Sequence, residues 1–86
     1  MPYIKPEFRN ELDPAIDNLF SIMDIDPGQL NYAITKLCIS FLRRTDGKYK
    51  DYNEVIGVLE CAKQEFYRRA VSKYEDDKIA ENGDVY

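Results

Sequence analysis

One stretch constrains this chain more than any other: Asp51–Tyr74, DYNEVIGVLECAKQEFYRRAVSKY. It contains no proline, and Val55, Leu59, Ala62, Phe66 and Ala70 recur on one face at a helical spacing. Ile56 and Val58 widen that stripe. Asp51 and Glu54 read as a capping-box start, with an acceptor at N-cap and a carboxylate at N3. The spacing predicts a helix of about six turns that serves as the centre of a small helical domain. Gly57 falls inside it, at a cost of about 1 kcal/mol relative to alanine. That glycine is expected to permit close helix packing or, less simply, to leave room for a ligand.

Two shorter helices precede it. Asp13-Pro14 reads as N-cap and N1, followed by Ile16, Leu19, Phe20 and Met23 at i, i+3, i+4 and i+7, with an end near Met23 to Ile25. Pro6-Glu7 opens at most a short turn of helix before it. The same punctuation recurs at Asp26-Pro27-Gly28. It opens a second helix whose apolar stripe is Leu30, Ala33, Ile34, Leu37, Cys38, Phe41 and Leu42. Ile39 lies off the centre of that stripe and is available to a second chain. Arg43 and Arg44 close the helix, and Thr45-Asp46-Gly47 signals a turn. After Tyr74 the chain turns acidic at Glu75, Asp76 and Asp77, where the third helix should end or bend. A short helix around Asp77 to Glu81 follows, capped by Asn82-Gly83, and then the apolar tail Val85-Tyr86. Both termini are expected to be docked on the domain or on a neighbouring chain. The fold class expected is all-α: a single domain, residues 1–86, built as an oligomeric three-helix bundle with a short C-terminal helix or tail.

Composition removes several functions. The chain has no histidine, which excludes the usual zinc sites, Ser-His-Asp triads and histidine general bases. Its glycines at 28, 47, 57 and 83 are scattered, so no phosphate-binding glycine loop exists. Twelve basic against 16 acidic residues, net −4, argue against a duplex nucleic-acid binder. Arg43, Arg44, Lys48 and Lys50 form the one local basic cluster and read as a helix end. Cys38 and Cys61 sit within apolar helical patterns and read as reduced core thiols. With no signal peptide and no apolar run long enough to span a bilayer, the expected location is the cytoplasm, with no membrane partner. A magnesium hydrolase of the helical kind needs paired carboxylates on two helices. Glu54, Glu60, Glu65 and Asp76 could supply one half, but Leu30 to Leu42 carries no carboxylate for the other. No enzyme, metal or cofactor is therefore expected.

The runs NEVIGVLECAKQEFYRR and YEDDKIAENGDVY, with MPYIKPE and PGQLNYAITKLC, resemble a small family of uncharacterised helical proteins of bacteria and phages. The resemblance covers nearly the whole chain. It departs before Tyr74, where relatives carry a proline after a small residue and this chain has Ser72-Lys73. The third helix is accordingly expected to continue past Tyr74 where relatives bend. The resemblance concentrates on polar residues that a core does not need, among them Asn31 and Tyr32 on the second helix and Glu60, Lys63, Tyr67, Arg68 and Arg69 on the third. It implies a binding site or a specific oligomer interface at these positions. AKQEFYRRAV is also similar in character to phage sponges that sequester cyclic-nucleotide immune signals. On that reading Lys63, Arg68 and Arg69 hold phosphates while Tyr67 or Tyr32 stacks on a base. The alternative is a protein–protein interaction module, a homo-oligomer or host-enzyme inhibitor without a small ligand. The bland reading is that the arginines pair with Glu65, Asp76 or Asp77 on a solvated helix face.

Overall fold

The computed structural model describes residues 2–86, and every element in it is helical. Helix α1 spans Pro6–Ile22, α2 Pro27–Leu42 and α3 Tyr49–Phe66. A π-helical turn, Tyr67–Val71, follows α3 directly and leads into α4, Ser72–Asn82. By its contacts the chain resolves into two compact units, residues 2–55 and 56–86.

In the first unit, α1 starts well before the expected Asp13. Lys5 is its N-cap and Pro6 takes the first helical position, where a missing N–H costs nothing. Pro14 lies inside the helix, so the Asp13-Pro14 pair is not the helix start it resembles. The helix ends at Ile22, close to the expected place. The turn to α2 is closed by Gln29, whose Oε1 accepts from the Asp24 N–H (2.8 Å) and whose Nε2 donates to Asp24 Oδ2 (3.0 Å). Asp26 then caps α2 as its sequence predicts, with Oδ1 accepting from the Gly28 N–H at 3.1 Å.

The turn after α2 is also as read. Thr45 Oγ1 donates to the Leu42 carbonyl (2.7 Å), and Gly47 takes a left-handed φ of +67°. The start of α3 differs from expectation by three residues. Tyr49, not a residue after Asp51, begins the helix. Asp51 stands one turn in and reaches back, its Oδ2 accepting from the Lys48 backbone N–H at 3.0 Å. This is the returning half of a capping box, with the carboxylate at N3. Lys50 Nζ lies 3.4 Å from the other oxygen. Asp51 is the one buried side chain among the described residues, at 3% exposure. The Lys48 backbone bond, aided by Lys50, holds its carboxyl below the ordinary aspartate pKa against the opposing effect of desolvation.

The second unit is one helix and a tail. The π-turn and α4 continue α3 without a break, so the helix passes Tyr74 and the acidic run rather than ending there. The separate short C-terminal helix expected around Asp77 to Glu81 is instead the last part of this long helix. No proline falls between Tyr49 and Asn82 to stop it, consistent with the expected continuation past Tyr74. Gly83 terminates it as read, with φ +89° and its N–H donating to the Ile79 carbonyl at 2.8 Å.

The helices of a three-helix bundle are therefore present, but the core expected of a bundle is not. No apolar side chain is buried among the described residues. Met23, Ala33, Cys38, Leu42 and Val55 are half-buried. Ile16, Phe20, Leu37, Phe41, Leu59 and Phe66, all placed on core stripes by their spacing, are exposed. Cys61 is exposed as well and so is not the core thiol it resembles; both cysteines are free. Val85 and Tyr86 are exposed, so the C-terminal tail is not docked on its own chain; Tyr3 and Ile4 are exposed too. Met1 lies outside the described residues. No helix among the described residues is long and apolar enough to cross a membrane.

Gly57 follows the same pattern. A Cβ built there meets nothing within 4 Å, so the close packing expected of it is absent. It stands inside α3 and its φ is not positive. Gly57→Ala should therefore stabilise the fold by about 0.5–1 kcal/mol. A thermal melt followed by circular dichroism checks this, and a lower melting temperature in the variant would contradict it.

Candidate functional site

The polar residues singled out on the third helix are positioned by α3 and the π-turn. Glu60 and Lys63 are one turn apart, and Lys63 Nζ lies 3.0 Å from Glu60 Oε2. Gln64 Nε2 donates to Glu60 Oε1 at 3.1 Å. The Lys63 bond first, and then the Gln64 bond, lower the Glu60 carboxyl pKa. Arg68 pairs with Glu65 at 2.8 Å, the intrachain pairing anticipated for these arginines. Asp76 and Asp77 make no ion pair with Arg68 or Arg69 among the described residues. The Glu60–Lys63 pair is exposed and adds little to stability, while in the Arg68 pair Glu65 is half-buried.

The π-turn decides what else joins them. In a straight α-helix, residues eight apart lie roughly 80° out of line. A π-turn contains one additional residue, so an i,i+8 pair spanning it behaves like i,i+7 and falls within about 20° of alignment. Ser72 closes the turn by donating its N–H to the Tyr67 carbonyl, five residues back. The shift is visible in one contact: Tyr67 Oη donates to Glu75 Oε1 at 2.6 Å. The Glu75 carboxylate, through this bond and its charge, raises the Tyr67 pKa.

Glu60, Lys63, Tyr67 and Arg68 line one open groove of about 580 Å³, together with Gln64 and Ser72. The other predicted residues lie elsewhere. Arg69 is not on this groove. Tyr32 lines a different one of about 680 Å³, with Leu19, Met23, Gln29, Lys36 and Leu37 among its walls. Asn31 lines neither, and its Oδ1 accepts from Thr35 Oγ1 at 3.2 Å. Both Asn31 and Tyr32 belong to the first compact unit.

Sequence reasoning missed Gln64, Ser72 and Glu75. Gln64 was within reach of a helical reading, since it stands four residues from Glu60. Ser72 and Glu75 were not, because they join the group only through the π-turn. Among the described residues, no set of three or more Asp, Glu or Cys side chains is gathered as a metal site would require.

The family model for a Domain of unknown function (DUF6899) matches residues 1–85. The chain belongs to this family. That agrees with the full-length resemblance to a small uncharacterised family. No curated protein and no solved structure matches the chain.

The Tyr67–Glu75 bond is open to direct measurement. A tyrosine with a raised pKa favours the folded state below its unfolded pKa, and that contribution disappears as pH rises through the folded value. In Glu75→Gln, part of the tyrosinate absorbance should appear at lower pH than in the wild type. Superimposable titration curves would show that the bond does not form in solution.

Proposed function

We propose that this chain is a non-enzymatic binding protein that works by protein–protein association, with copies of itself as the first partner. The observation that carries this reading is the absence, among the described residues, of any buried apolar side chain on α1, α2 and α3, which each carry an apolar stripe. Apolar burial is the main favourable contribution to folding, and a chain of this size has little to spare. A composition with 44% hydrophobic and 13% aromatic residues is that of a folding protein and not of a disordered one. The accessible surface is 7970 Å². A folded monomer of 10.1 kDa exposes about 5,300 Å². The difference is about 2,700 Å² per chain, or about 5,400 Å² for a pair, at the upper end of what obligate homodimers bury. An association that completes the core makes stability depend on protein concentration. Light scattering should give a mass of at least two chains, with a melting temperature that rises with concentration. A folded monomer whose melting temperature ignores concentration would end this reading.

A second reading has its own observation. Glu60, Lys63, Tyr67 and Arg68, expected to act together, do line a single groove. That supports a small phosphorylated ligand such as a cyclic nucleotide, of the kind a sponge protein sequesters. Lys63 and Arg68 would exchange their carboxylate partners for phosphate oxygens, and Tyr67 would stack on a base. The existing ion pairs with Glu60 and Glu65 weigh on the other side, because a ligand must displace them. Isothermal titration with cyclic di- and trinucleotides should give saturable heat that Lys63→Ala removes. No heat at high micromolar ligand would eliminate the ligand and leave association as the function.

A further inference from the structure

We infer that the long C-terminal helix pairs antiparallel with the same helix of a second copy, crossing at Ala70. This rests on the association reading above and names its surface and partner.

The first argument is length. Elements of 18, 5 and 11 residues follow one another without interruption from Tyr49 to Asn82. At 1.5 Å per residue they make a helix of about 50 Å. Helices α1 and α2 have 17 and 16 residues, about 25 Å each. Neither is long enough to cover more than about half of the long helix.

The second argument is the face that needs cover. Leu59 and Phe66 are seven residues apart and so lie nearly in line. Tyr74 is eight beyond Phe66, which would carry it off the stripe in a straight α-helix. The π-turn between them restores the alignment, by the same shift that brings Glu75 to Tyr67. Ala70 lies between the two aromatics at the middle of the stripe. Phe66 and Tyr74 are 67% and 62% exposed, so a continuous apolar face stands open across the π-turn.

The third argument is charge, and it selects both partner and direction. In the ten residues before Ala70, Lys63, Arg68 and Arg69 outnumber Glu60 and Glu65; in the ten after it, Glu75, Asp76 and Asp77 outnumber Lys73 and Lys78. A parallel pair would stack the acidic run of one copy on that of the other. An antiparallel pair centred on Ala70 sets Lys63 of each copy opposite Asp77 of its mate and lays the half with a basic excess along the half with an acidic excess. The same two-fold operation sets Phe66 of each copy against Tyr74 of the other and leaves the small Ala70 where the backbones approach closest. The interface is isologous, and it closes at two chains.

Engineered disulfides test the pairing in the full-length chain, with both native cysteines replaced by serine (C38S/C61S). A70C should give a covalent dimer under mild oxidation, since the two copies of this position meet at the dyad. A62C lies on the same stripe two turns earlier, and antiparallel pairing separates its two copies by about 24 Å. It should stay uncrosslinked. Crosslinking of both variants would mean parallel pairing and overturn the inference. If light scattering shows an oligomer but neither variant crosslinks, the pairing is wrong while association stands. If the protein is a folded monomer, both fall together.

Discussion

The structure depends on one mismatch: a continuous helix of about 50 Å joined to helices of about half that length. Hydrophobic stabilisation requires that an apolar stripe be removed from water along its whole extent. An antiparallel bundle achieves this when its helices are of similar length. Here the last helix carries apolar residues from Val55 to Tyr74, and its second half outruns what a helix of α1's or α2's length can cover. The open faces on α1 and α2 add to the same deficit. The association proposed between chains would answer it.

The π-turn is the second determinant. It has two consequences that a straight helix could not have together. On the apolar side it keeps Tyr74 in line with Phe66, so the stripe remains straight where α-helical geometry would rotate it away. On the polar side it brings Glu75 onto Tyr67 and Ser72 into the groove with Glu60 and Lys63. One inserted residue thus organises both the apolar stripe and the polar groove.

The polar groove is held by local pairs. Glu60–Lys63 and Glu65–Arg68 are pairs one turn apart on an exposed face, and such pairs form on many helices. Asp51 is different in kind. Its carboxylate is buried, bonded to the backbone one turn earlier, and holds the start of the long helix against the turn that precedes it.

Much of this was legible in the sequence because it is local. Asp26-Pro27 opened α2, Thr45-Asp46-Gly47 made the turn, Gly83 ended the last helix, and the lack of any proline let that helix run past Tyr74. Each depends on neighbouring residues and on backbone preferences that operate within one turn. Asp13-Pro14 misled for the same reason. It carries the local signature of a helix start, but the turn beginning at Pro6 was already in place and ran through it. The start of α3 shifted because Asp51 serves equally well as N-cap or as the N3 carboxylate, and only the backbone path at Lys48 distinguishes the two. Periodicity gathered apolar residues on one side of each helix but could not say whether anything covers them, since burial is a relation between elements and not a property of one. The joining of Tyr67 with Glu75, and of Lys63 with Ser72, was decided by the path of the backbone and became visible only in the three-dimensional structure. It comes from a change in helical phase that no residue in YRRAV announces.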